Sequence, residues 1–254
     1  MPYFMARTFD NGGYYETRLV LAAGVIALAL WMWRAGGDRR YLIAFLFGGL
    51  FQAFMEFLIA QGGLRGAGYM LQLFGQAVPR PWAFLLQGLV EGGPLAVMAF
   101  WFAGLLGDRA PTRRWLPYLA ALAGVIGLSI VVVATASGDA PTSVRPIFRW
   151  DWIWFSLLAG SIVLTAVFRR LEGLRRLALF AAGVVVYLVA TYEPMHLAGV
   201  RLIVEKTAAG AQPAGLWPQI WVMAYSHLIE VTGSKLHYFA IPLLLGLLDR
   251  RARA

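Results

Sequence analysis

The chain has 254 residues, 60% of them hydrophobic and only 14% charged, and a water-soluble domain of this size could not hide that much apolar surface. Its net charge of +9 does not point to nucleic acid, because the basic residues stand in short runs between apolar stretches, the pattern a bilayer imposes. With no cysteine, structural disulfides, thiolate metal sites and a cysteine nucleophile are excluded.

Residues 1–17 are polar and aromatic, with Asp10-Asn11-Gly12-Gly13 as a turn. Apolar runs then predict spans at about 18–34, 41–62, 82–107, 115–137, 150–168, 177–200 and 217–248, each near the ~20 residues a crossing needs. Backbone facing lipid has to satisfy its own hydrogen bonds, so these spans are expected to be helices. The expected fold is all-α, a single seven-transmembrane-helix bundle over residues 1–254. The first span has no small-residue cleavage site behind it and is read as retained.

Basic residues orient the bundle. Arg34, Arg39, Arg40, Arg109, Arg113, Arg114, Arg169, Arg170, Arg175, Arg176, Arg250, Arg251 and Arg253 fall at one end of the spans. Arg7, Arg18, Arg65, Arg80, Arg145, Arg149, Arg201 and Lys206 fall at the other, thirteen against eight. The positive-inside rule places the N-terminus outside and the C-terminus in the cytoplasm, with a bacterial inner membrane as the expected location. Residues 63–81 are too apolar for a solvated loop and are expected to lie along the outer interface or over a pocket, whereas 201–216 reads as a plain connector.

All three histidines lie in the last two spans, and four of seven glutamates lie within spans. Ionisable groups at membrane depth cost roughly 2.5–3.5 kcal/mol each on insertion scales, so they usually mark a site. Counted from the outer helix ends at ~1.5 Å per residue, Glu56, Glu91, Glu193, His196, His227 and Glu230 fall in one layer of the outer half. Glu193-x-x-His196 and His227-x-x-Glu230 each place two side chains on one helix face, and because neighbouring spans run antiparallel the reversed order restores a matched pair.

One carboxylate from each of two helices plus a Glu/His pair from each of two others resembles the ligand set of di-iron and di-manganese carboxylate bundles. The resemblance implies one or two divalent metal ions, iron or manganese first and zinc second, held by Glu56, Glu91, Glu193, His196, His227 and Glu230. Lys235 and His237, deeper in the last span, are expected as outer-layer or proton-relay groups. Glu193 and Glu230 are expected to be the deep, structurally costly ligands and His196 the shallow, dispensable one.

Seven spans, an outside N-terminus and Glu230-Val231-Thr232-Gly233-Ser234-Lys235 are similar to the acid-to-lysine stretch of the microbial rhodopsins, which would imply retinal on Lys235. That family separates the acid and the lysine by four residues. Here the separation is five, which on a regular helix turns Lys235 about 140° away from Glu230. The leading expectation is therefore a membrane metalloenzyme, an oxidoreductase or with zinc a hydrolase, acting on a lipid, isoprenoid or quinone. A proton or metal-ion transporter is the alternative, with a retinal protein and a non-catalytic membrane subunit behind it. Gly92-Gly93-Pro94, Pro194 and Pro242 are expected to bend or unwind helices, and Trp150, Trp152, Trp154, Trp217 and Trp221 to form an interfacial belt.

Overall fold

The computed structural model describes residues 3–7, 13–62, 71–136, 143–168, 171–207 and 210–249. The chain runs β1 (Tyr3–Arg7), α1 (Tyr14–Gly36), α2 (Arg40–Gln61), β2 (Gln72–Leu73), β3 (Gln76–Ala77), α3 (Arg80–Gln87), a first π segment (Gly88–Gly92) and α4 (Gly93–Gly107). It continues through α5 (Thr112–Thr135), β4 (Ser143–Pro146), α6 (Trp150–Phe168), α7 (Leu171–Leu197), β5 (Arg201–Thr207), β6 (Gly210–Pro213), α8 (Leu216–Glu230), a second π segment (Val231–Lys235) and α9 (His237–Leu244).

Among the described residues, five helices are long and apolar enough to cross a membrane: Tyr14–Gly36, Arg40–Gln61, Arg80–Gly107, Thr112–Thr135 and Gly173–Leu197. They match the predicted spans to within a few residues, the usual uncertainty of helix ends. The apolar stretch of α6 is shorter, Ile153–Phe168, and the last predicted span is divided into α8, the π segment and α9. One core joins α1, α2, α4, α5, α7 and α9, with Ala29, Val97, Val125 and Val184 fully inaccessible.

The all-α expectation is corrected at one end of the bundle. There β4, β1, β5 and β6 form a four-stranded antiparallel sheet. The stretch read as a plain connector thus contains two strands. Leu202-Ile203-Val204 has the branched side chains that favour strands, and Ile203 and Met5 pack with Val222 and Met223 under the sheet. Gln219 of α8 fastens the same place, donating to the carbonyls of Ile203 (2.6 Å) and Ala214 (3.2 Å) and accepting from the Ile203 N–H (2.9 Å). Because the sheet draws on the N-terminus, the α5–α6 connection and the α7–α8 connection, all three share one face.

The expectation for residues 63–81 is settled in part. Residues 63–70, the turn at Asp10-Asn11-Gly12, and Arg65, Arg169, Arg170, Arg250, Arg251 and Arg253 lie outside the described residues. Residues 72–77 form the β2–β3 hairpin, tied to α1 by the Phe74 N–H donating to the Glu16 carboxylate, and they do not line the cavity described below. Trp150, Trp154, Trp217 and Trp221 are exposed at the sheet-side ends of α6 and α8, and the Trp152 side chain lies outside what is described.

Gly92-Gly93-Pro94 does not break its span. The chain instead takes one π turn before α4, closed by the Gly93 N–H donating to the Gly88 carbonyl, and Pro94 sits in the first turn of α4. The π turn lies flat on α2. A Cβ added at Gly92 would stand 2.4 Å from the Gly48 carbonyl oxygen, and one at Gly88 would stand 2.3 Å from that of Gly49. Small residues let two membrane helices approach this closely, and the contact fixes Glu91 relative to Gln52 and Glu56. Gly92→Ala is expected to destabilise by about 1–3 kcal/mol through overpacking, while Gly24→Ala, which meets nothing within 4 Å, is expected to be neutral or slightly favourable. Thermal melts of the two variants in detergent check this contrast.

Candidate acid-lined site

Below the sheet lies a cavity of about 100 Å³. It is lined by Arg7 of β1, Pro146 and Ile147 beside β4, Gln52, Met55, Glu56 and Ile59 of α2, and Glu91 of the first π segment. Tyr192 of α7, Tyr225, Ser226, Ile229 and Glu230 of α8, and Ser234 and Lys235 of the second π segment complete the wall. Pockets that enclose a whole ligand usually run to roughly 300–1,000 Å³, so this one suits the reacting end of a larger molecule.

Three of the six predicted ligands, Glu56, Glu91 and Glu230, meet at this cavity from three different elements. Glu56 is buried and its Oε1 accepts from Gln52 Nε2 at 2.8 Å. Glu91 Oε1 accepts from the Tyr14 hydroxyl at 2.9 Å and its Oε2 from Gln87 Nε2 at 3.4 Å. Tyr14 and Gln87 were not singled out by sequence, since a hydroxyl or amide in an apolar run carries no signal of the carboxylate it will face.

The floor is a buried polar knot. Lys235 Nζ donates to Gln52 Oε1 at 2.6 Å and to the Tyr238 hydroxyl oxygen at 3.0 Å, and the Tyr238 hydroxyl itself donates to Gln52 Oε1. Two donors on Oε1 fix the orientation of the Gln52 amide and so aim its NH₂ at Glu56. The 140° separation expected between Glu230 and Lys235 is corrected here. The second π segment, closed by the Leu236 N–H donating to the Val231 carbonyl at 3.1 Å, sets residues five apart on one face, and both side chains line the cavity. Below this knot Phe239 stacks on Phe180 at 5.0 Å and packs near Phe100, closing the way with aromatic rings.

The remaining predicted residues stand apart. Glu193 is half exposed, its Oε1 3.6 Å from Nε2 of His227, whose ring stacks on Tyr192 at 5.9 Å. Neither Glu193 nor His227 lines the cavity, and Glu193 is not the deep ligand that residue counting suggested. His196 turns to the sheet, with Nδ1 2.5 Å from the Arg201 carbonyl oxygen, and it is partly buried with Nε2 enclosed, where a shallow and dispensable residue was expected. His237 stacks on Phe51 at 5.2 Å with Nδ1 3.2 Å from the Ser234 carbonyl oxygen, away from the cavity. Among the described residues no three His, Asp or Glu side chains gather where a metal ion could be held. The six residues as they stand therefore do not fit the dinuclear centre, because hydrogen bonds commit Glu56, Glu91 and His196 to separate partners.

α9 packs on α2, whereas α8, the sheet-side half of the same span, packs on α6, β5 and the π segment and makes no comparable contact with α2 among the described residues. Ile59, Tyr225 and Ile229 give the cavity wall apolar and aromatic surface. Compared with known protein families, with curated proteins and with solved structures, the chain matches none, and the functional reading rests on these side chains.

Proposed function

We propose that the chain is a membrane enzyme performing general acid–base chemistry on the reacting end of a lipid-like substrate, with Glu56, Glu91 and Glu230 as the proton-transferring groups. The observation that carries this is the convergence of three carboxylates from α2, the first π segment and α8, with Lys235, on one small cavity. Carboxyl groups approaching one substrate from different sides supply an acid and a base together, worth about 10²–10⁴ in rate for each positioned proton transfer. The apolar and aromatic part of the wall, Ile59, Tyr225 and Ile229, supports a substrate whose tail remains among lipids while its polar end enters. The aromatic closure below Lys235 favours a site with one entrance over a conduit.

The test incubates isolated membranes carrying the wild-type chain or Glu230→Gln in D₂O, after growth in ordinary water, and extracts their lipids. The wild type is expected to place deuterium at carbon positions of one lipid class, and the variant to lose that label by at least a hundredfold. Identical labelling in the two would overturn the reading. A metal-dependent enzyme stays as a second reading on one ground, the three carboxylates on one cavity. Metal in purified wild type that Glu230→Gln loses would put it first.

The membrane arrangement we propose has seven spans, counting α6 and the 29-residue stretch Leu216–Leu244 as crossings, with the sheet outside. The sheet joins ends that an alternating path would bring to one side, and most of the arginines lie at the opposite end. A single cysteine at Gln212 is expected to react with an impermeant reagent added outside intact cells, and one at Ala110 to stay protected. The reverse pattern sinks the orientation.

A further inference from the structure

Arg18 of α1 is counted by sequence among the basic residues at the outer ends of the spans, yet the structure buries it, with 3% of its surface exposed. Its guanidinium carbon stands 4.9 Å from the centre of the Tyr14 ring, one turn earlier on the same helix. Its Nη2 is buried with no hydrogen-bond partner among the described residues. A guanidinium keeps its charge in proteins, and a buried cation is costly unless an opposite charge answers it. Of the groups that feel this cation most, Tyr14, Tyr187, Tyr192 and Glu91, only Glu91 is a carboxylate.

Tyr14 joins the two. Its side chain is itself 3% exposed, and its hydroxyl donates to Glu91 Oε1 at 2.9 Å. A cation beside a phenol draws electron density from the O–H and makes it the stronger donor, an effect that a low-dielectric interior preserves. Gln87 Nε2 faces the other oxygen, Oε2, at 3.4 Å. A protonated carboxyl would set its own O–H against one of these donors, whereas the ionised form only accepts and meets both. Across the cavity Glu91 is faced by Glu56 and Glu230, and by Arg7, Tyr192 and Lys235. Lys235 directs its bonds to Gln52 and Tyr238, and through Gln52 it serves Glu56. Arg18 stands in the same relation to Glu91, with Tyr14 as the bridge.

We propose that Arg18, acting through Tyr14, holds Glu91 as a carboxylate, and that Glu91 is for this reason the proton acceptor of the cavity. Arg18 and Tyr14 are positioning residues, since neither lines the cavity. The acceptor role rests on the acid–base reading above; the charge on Glu91 does not.

Purified full-length chain in detergent is measured by infrared difference spectroscopy at neutral pH, each form against the same form carrying Glu91→Gln, so that the C=O band of a protonated Glu91 is read alone. Wild type is expected to show no such band. Tyr14→Phe, which removes one hydroxyl and keeps the ring, and Arg18→Gln are each expected to show it, and Arg18→Lys, which keeps the charge, to match wild type. The band in wild type, or its absence from Tyr14→Phe or from a folded Arg18→Gln, would overturn the proposal; should Arg18→Gln not fold, wild type and Tyr14→Phe decide. Isolated membranes in D₂O give the second readout, in which Tyr14→Phe is expected to lose labelling about tenfold. An unlabelled wild type would sink the acid–base reading and the acceptor role with it, leaving the infrared result to decide the charge on Glu91. The expected infrared bands with full labelling in Tyr14→Phe would overturn the acceptor role alone.

Discussion

Lys235→Met is expected to destabilise the protein by roughly 2–3 kcal/mol, two buried hydrogen bonds at about 1–1.5 kcal/mol each, and to lower substrate labelling about a hundredfold. The ammonium holds Gln52 Oε1 at 2.6 Å and the Tyr238 hydroxyl at 3.0 Å, and through Gln52 it orients the amide that donates to Glu56 at 2.8 Å. Methionine fills a similar volume and donates to neither. Gln52→Leu should reproduce the catalytic loss, since Glu56 then loses the same donor. Chemical denaturation in micelles reads the stability, and the deuterium label reads the chemistry. A Lys235→Met chain with wild-type labelling would detach the floor of the cavity from its function.

His196→Ala is expected to cost about 2–3 kcal/mol and Glu193→Ala less than about 1 kcal/mol, the reverse of the order that depth counting suggests. His196 is partly buried, its Nε2 enclosed and its Nδ1 meeting the Arg201 carbonyl at 2.5 Å, so its removal leaves a hole and an unpaired carbonyl at the α7–β5 junction. Glu193 is half exposed, and its 3.6 Å approach to His227 is the kind of partly solvated pair that contributes little. Melting temperatures of the two variants, each with and without chelator, decide the matter. Equal losses, or a larger loss for Glu193→Ala, would return Glu193 to the deep position.

By itself the sequence determined that the chain is a helical membrane protein and where its long helices run, and it pointed to Glu56, Glu91, Glu193, His196, His227, Glu230, Lys235 and His237 as the polar residues to watch. Those inferences rest on hydrophobic length and on the cost of charge in a bilayer, which are properties of residues taken one at a time. Only the tertiary structure decided which polar groups meet. Glu230 and Lys235 share a face because Val231–Lys235 winds as a π turn, closed by one backbone bond that periodicity at 100° per residue does not foresee. Glu193 and His196 share a helix face by count, yet His196 is drawn to the Arg201 carbonyl while Glu193 turns toward His227. The four-stranded sheet was hidden for a related reason: β1, β4, β5 and β6 are too short to announce themselves beside long apolar helices. Their stability comes from one another, β1 pairing with β4 and β5 across well over a hundred residues, and the facing pair of Arg7 and Arg201 exists only once they are aligned.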